Sequence, residues 1–333
     1  MKSGLSFLVS AMALASLAAC GGSGDDSSSH PAANKVAITS TNQNQVVRAS
    51  VNAGLSVSLA QGSVGGGVSP AGVAGRSHAL TALMARAVSA ARASRKGIAS
   101  ATAHPSATTT DTEACTSGGT VTIALDDHDN NQQISNGDVI TATFAQCKDT
   151  ATSTISGAIS VTLTGTPTDT QFSANANFQN IVVTDNDVTA TIAGNVAVTE
   201  SDTSTDSVIT LSVGSSGLTA STTSTSYTDS VSFASGFVIT TDEASSGSVS
   251  VSLAGTMSAQ SVGGSITIAT PQPLVEAASD AYPSSGQVII TGASGSAVRA
   301  TVLDKTQVKL ELDANGDGTY ESTSTVAWNA LIA

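Results

Sequence analysis

The sequence predicts a mainly β protein: a long antiparallel up-and-down sheet, twisted or curved, with one or two N-terminal helices packed on its apolar face. Three observations predict it. From Thr120 onward apolar side chains recur at every second position, as at Ile155, Gly157, Ile159, Val161 and Leu163; this is the period of a strand with one buried face. The alternate positions of the same run are Ser156, Ala158, Ser160, Thr162 and Thr164, the small polar residues that suit the solvated face of an antiparallel sheet. Runs of turn residues (TPTDT at 166–170, TDND at 184–187, SDTSTD at 201–206) separate the apolar stretches. Consecutive strands therefore join as hairpins.

Before the β region the chain reads as three segments. Residues 1–19 form an export signal, with Lys2 ahead of an apolar run from Leu5 to Leu17 that is too short for a stable transmembrane anchor. That run ends in Leu17-Ala18-Ala19-Cys20, which resembles the bacterial lipobox. The resemblance implies cleavage before Cys20 and a lipid on its sulfur. Gly21 follows in place of the aspartate that marks inner-membrane retention, so the same resemblance implies an outer-membrane destination. Residues 20–33 are rich in Gly and Ser, the composition of a flexible tether.

Residues 34–112 read as a helical segment and linker. In TSTNQNQVVRASVNAGLSVSL, Thr41 or Asn42 stands where a helix is capped, and Val47, Val51 and Leu55 fall four apart. The later part of this stretch also reads as strand. Gly62 to Gly67 interrupts regular structure. RSHALTALMARAVSAARASRK then predicts a second helix, with Leu80, Leu83, Met84, Ala87 and Ala91 in one stripe and Gly97 placed to end it. Ser100 to Thr112, with His104-Pro105, reads as linker.

The β domain is expected over 113–333. The two-residue period recurs at Val188–Val198, Ile209–Val213, Val231–Ile239, Val249–Leu253 and Val308–Leu312, and it changes phase between Phe178 and Ile181. That phase change predicts a bulge near Gln179-Asn180. A transmembrane barrel would need aromatic girdles, and aromatics are only 3% of residues. A solenoid would need a fixed coil period, which is missing. With Cys20 lipidated, Cys115 and Cys147 are the remaining cysteines. In an oxidising compartment they predict a disulfide.

Two stretches concentrate oxygen ligands. In DDHDNNQQISNGD, Asp127, Asp129 and Asn131 take positions one, three and five of a calcium loop. Gln133 offers a carbonyl, Ser135 the ninth position and Asp138 the closing carboxylate. Alternate spacing turns successive oxygens toward one hard cation. The stretch resembles EF-hand and dockerin loops, with Gln132 in place of the turn glycine and Asp138 in place of the closing glutamate. Near the C-terminus, ELDANGDGTYES resembles the DxNxDG calcium loops of extracellular bacterial β domains. Asp313, Asn315 and Asp317 repeat the spacing, Thr319 offers a carbonyl and Glu321 a carboxylate. In both cases strand-like flanks make a plain hairpin turn the competing reading.

Charge narrows the partners. From Asp111 onward the chain has four basic and 23 acidic residues, which disfavours nucleic acid. The sequence contains no GxSxG elbow, HExxH helix or P-loop. The expectation is a non-enzymatic envelope lipoprotein of structural or interaction role, with calcium as a stabiliser and an envelope protein as partner. A carrier holding an apolar, lipid-type ligand on a curved sheet is the alternative. An envelope hydrolase is the second.

Overall fold

The computed structural model describes residues 34–59 and 109–332, apart from 132, 149–151, 169, 186–187, 224–227, 278–279 and 281. The expected lipobox cysteine, the tether and the second helix lie outside them. Helix α1 (Gln43–Leu59) precedes fifteen strands. These are β1 (Thr109–Ala114), β2 (Thr120–Asp126), β3 (Val139–Cys147), β4 (Ser153–Leu163), β5 (Gln171–Asp185), β6 (Val188–Asp202), β7 (Asp206–Thr223) and β8 (Thr228–Phe233). They continue as β9 (Val238–Ala244), β10 (Val249–Ala259), β11 (Gly264–Glu276), β12 (Ser285–Thr291), β13 (Ala297–Asp304), β14 (Gln307–Asp313) and β15 (Ser322–Ala327), followed by the short helix α2 (Trp328–Ile332). All fifteen strands form one sheet, in chain order except that β9 lies in line with β8 and pairs, like it, with β7 and β10. Every pairing between named strands is antiparallel, and the expected up-and-down architecture is the one observed. β1 begins at Thr109, inside the stretch expected to be linker.

The run Val231–Ile239, which reads as one strand, is two. β8 and β9 both pair with β7 on one side and β10 on the other. They are one strand interrupted at 234–237, where Ser235 is exposed and Gly236 has φ 80°. Phe233 and Phe237 still both point inward, their rings 4.9 Å apart. The alternation survives the break because the interruption restores the phase.

Similar interruptions cross the sheet. Register shifts occur in β3 between Phe144 and Cys147, in β5 between Phe178 and Ile181, and in β7 opposite Gly194 and Val196. The β5 shift, with Asn180 at φ 48°, is the expected bulge. Opposite these bulges stand glycines. A Cβ on Gly157 would lie 2.4 Å from the Asn180 carbonyl oxygen, and one on Gly194 would lie 2.2 Å from that of Gly217. Both have left-handed φ, 112° and 122°. Bulge and glycine alternate from strand to strand, and together they make a crease along which the sheet bends.

The apolar face is buried along the sheet, in part beneath α1. α1 packs on β9, β10, β12, β13 and α2, through Val46, Val47 and Val51, all nearly inaccessible. A helix of 17 residues is about 25 Å long, whereas the sheet laid flat would be about 60 Å wide. Ile159, Ile181 and Val196 in β4–β6 are nevertheless fully buried. Asn42 holds the position just before α1. Its side chain accepts the Thr39 N–H (2.8 Å) and donates to the Ala37 carbonyl (2.9 Å), bonding back into the preceding turn.

Cys115 and Cys147 form the expected disulfide across the β2–β3 hairpin. Closing a loop with a sequence separation of 32 stabilises the fold by about 3–4 kcal/mol in the chain-entropy picture. At the free edge, Asp111 and Glu113 of β1 sit opposite Ile123 and Val121 of the buried face. Inward-pointing carboxylates of this kind oppose edge-to-edge pairing with another sheet.

Candidate cation-binding loops

β2 and β3 pair up to Asp126 and Val139, so the first acidic stretch is the long connection of a hairpin. Its end is pinned to β4: the Gly137 N–H bonds the Leu163 carbonyl and the Leu163 N–H bonds that of Asp138, both at 2.9 Å. This anchorage draws Asp138 out of solvent completely. Its buried carboxylate is matched by donors, the His128 N–H on Oδ1 (3.0 Å) and the Ser135 N–H on Oδ2 (2.7 Å). Asp127, Asp129 and Asp138 each place a carboxylate oxygen within 4.8 Å of the others. The Ser135 hydroxyl joins them, 3.3 Å from Asp129 and 3.4 Å from Asp138.

Four of the six expected ligands of this loop therefore meet. Asn131 lies beside them but turns its amide nitrogen to Asp129 (2.7 Å), while its amide oxygen accepts the Gln133 N–H (2.6 Å). Gln133 is exposed. Its N–H bonds the Asn131 amide oxygen, whereas the calcium-loop pattern uses its carbonyl. The His128 ring is exposed and lies against Gly137; the residue meets the cluster through its backbone N–H.

The C-terminal stretch joins β14 to β15 and is organised around Asp313, which is almost fully buried. Its two oxygens accept the N–H groups of Gly316 (2.7 Å) and Gly318 (2.8 Å). Asp317 accepts the Thr319 N–H (2.7 Å) and the Asn315 amide (3.1 Å). The Thr319 N–H above all, with the Asn315 amide, holds the Asp317 carboxyl below its ordinary range. Glu321 accepts the Ala314 N–H at 3.0 Å. Asp313, Asp317 and Glu321 again converge within 4.8 Å. Asn315 and Thr319 shape this loop by hydrogen bonding to Asp317.

Three carboxylates held this close repel one another, and backbone N–H dipoles offset only part of that charge. The gathered atoms are carboxylate and hydroxyl oxygens, which suit a hard divalent ion such as calcium and offer nothing soft for zinc. Both clusters could hold such an ion, and each lies between strands rather than between helices.

A third titratable group escapes the sequence reading. Glu276, at the end of β11, is pushed up to about 7, first by burial and then by the neighbouring Asp280. Asp280 bonds Lys305 at 3.4 Å. Tyr282 stacks on the buried Trp328 (6.0 Å between rings), whose indole N–H bonds the carbonyls of Pro283 and Asp304. The four-residue spacing of Glu276 and Asp280 is visible in the sequence, but the fold alone brings Lys305 to Asp280. Neither protein-family models, nor curated proteins, nor solved structures provide a match to this chain.

Proposed function

We propose that this chain is a lipid-anchored envelope protein, attached through Cys20, whose β domain has a structural or interaction role. The single observation that supports it best is the occupied apolar face. A carrier of lipid-type ligands on a curved sheet would keep that face open to its cargo. Here Ile38, Val46, Val47 and Val51 are buried to 2% exposure or less in one core with the strands. α1 covers the face of β9, β10, β12 and β13 from within the chain. The two acidic loops are calcium sites in this reading, and a bound ion clamps the β2–β3 and β14–β15 connections.

Lipid attachment is tested by fractionating cells expressing the wild type and Cys20→Ser. The wild type should be in the membrane fraction with a lipidated mass. The variant should be released. Membrane association and mass that do not change on substitution would overturn the anchor. The carrier reading would return if the purified domain co-purified with stoichiometric lipid.

A further inference from the structure

The sheet has two edges, and they are built differently. β1 carries Asp111 and Glu113 on the inward face, opposite Ile123 and Val121, and a second sheet laid against that edge would have to bury both carboxylates. β15 reads Ser322-Thr323-Ser324-Thr325-Val326-Ala327, with no charge, no proline and no glycine. Among the described residues its one strand partner is β14. The short helix α2 turns away from β15 onto α1, where Arg48 bonds the carbonyls of Leu331 (2.8 Å) and Ala330 (3.2 Å).

The register fixes which groups β15 offers. The Trp328 N–H bonds the Thr306 carbonyl at 3.0 Å, and in an antiparallel ladder the N–H and C=O groups change sides from one residue to the next. Val326, Ser324 and Ser322 therefore turn theirs to β14, whereas Ala327, Thr325 and Thr323 turn theirs outward. The last three residues are exposed. The side chains divide in the same way. Val326 and Ser324 continue the buried face of Val308 and Leu310, and Thr325 and Thr323 stand on the outer face beside Lys309 and Glu311. An uncharged strand with a row of outward donors and acceptors is the template that strand addition uses.

We propose that β15 pairs with β15 of a second copy of this chain, antiparallel about a two-fold axis. With Thr325 opposite its own copy, Thr323 faces Ala327 and Ser324 faces Val326. The buried face of one copy runs on into that of the other, no like charges meet, and Thr opposite Thr is a favourable cross-strand pair. The antiparallel sense also parts the two Asp313–Glu321 clusters, since each lies before the start of its own β15. They stand at opposite ends of a six-residue pair about 20 Å long, well beyond the screening length of about 8 Å at physiological salt. Joining β15 to β1 of the next copy would bury Asp111 and Glu113 and leave further edges to extend, whereas the two-fold pair stops at two. A foreign strand would have to bring a matching uncharged edge; a second copy carries one already. A contact this short is at the low end of interface sizes. The dimer is therefore concentration-dependent and, at a formal net charge of −13 per chain, strengthened by salt. This partner gives content to the interaction role and does not require a lipid on Cys20.

Disulfide trapping and sedimentation test the pair. Full-length Thr325→Cys should give a disulfide-linked dimer on mild oxidation, several-fold more than the wild type or Thr112→Cys, which places a thiol on exposed β1. Without oxidant, the wild type should sediment as a dimer that dissociates on dilution. Thr325→Pro removes an outward N–H and leaves the β14 ladder whole, and Thr325→Lys sets two ammonium groups opposite each other. Both should shift the chain to monomer while its β circular dichroism is kept. A wild type that is monomeric at every concentration, a dimer that survives both substitutions, or equal trapping at position 112 would overturn the pairing. So would slow hydrogen exchange at the Thr325 amide in a monomer, which would show the edge covered by residues of its own chain. Fractionation of Cys20→Ser reads the anchor separately, so either reading can fail without the other.

Discussion

Replacing Gly194 by alanine should damage the domain far more than any loss of contact would suggest. The position has φ 122°, which L side chains rarely adopt, and the new Cβ would stand 2.2 Å from the Gly217 oxygen and 2.8 Å from the Leu218 Cα. Both atoms are backbone of the adjacent strand, so no rotamer change relieves the clash. Forcing a side chain into such a conformation costs about 1–3 kcal/mol. Overpacking against a fixed neighbour adds about 1–3 kcal/mol, for a total of about 2–6 kcal/mol against a typical stability of about 5–15 kcal/mol. At about 2–4 °C per kcal/mol for a domain of this size, the melting temperature should fall by roughly 5–20 °C. Calorimetry of Gly194→Ala beside Gly165→Ala, where a Cβ meets nothing within 4 Å, separates the crease from the general effect of adding a methyl. If Gly194→Ala melts within about 2 °C of the wild type, the crease does not depend on that glycine.

Two further outcomes follow from the site geometry. Calcium at about 5 mM, acting on loops of about 10⁻⁴–10⁻³ M affinity, should stabilise the native state by about 1–2 kcal/mol per site. Melting curves should rise with calcium more than with magnesium, Asp129→Ala or Asp317→Ala should each blunt the rise, and a curve that calcium leaves unmoved would reduce both loops to turns. Glu276 is raised from 4.5 to about 7 in the folded chain, so the folded state holds its proton more tightly than the unfolded state. Its contribution is fully present below about pH 4.5 and is lost as pH rises through 7. Glu276→Gln should therefore melt above the wild type at pH 8 and close to it at pH 5; parallel pH profiles would contradict the burial of that carboxyl.

The local features of this chain were legible because their causes are local. Alternation between Ile155 and Leu163 depends only on the two-residue period. The phase change at Phe178–Ile181 marked the bulge because an extra residue shifts every later side chain. Asp and Asn spacing in the two acidic loops carried enough information to bring Asp127, Asp129 and Asp138 together, as well as Asp313, Asp317 and Glu321. It did not carry the orientation of the Asn131 amide, which the Gln133 N–H decides.

Even the crease left a trace: Ile155-Ser156-Gly157-Ala158-Ile159, Ile192-Ala193-Gly194-Asn195-Val196 and Leu253-Ala254-Gly255-Thr256-Met257 share one pattern. The pattern gains meaning only when Gly157 and Gly194 are seen beneath bulges of neighbouring strands, since a glycine inside a strand is by itself ambiguous. By itself, then, the sequence determined the strand period, the up-and-down order, the disulfide and the acidic loops, all set by near neighbours or by the scarcity of cysteine. Tertiary structure decided the alignment of glycine with bulge, the approach of Lys305 to Asp280, and the insertion of residues 34–38 beside Ser296, 258 positions from Ile38. Those contacts depend on how far each strand is displaced along its neighbour, and that displacement is settled only when the whole sheet is assembled.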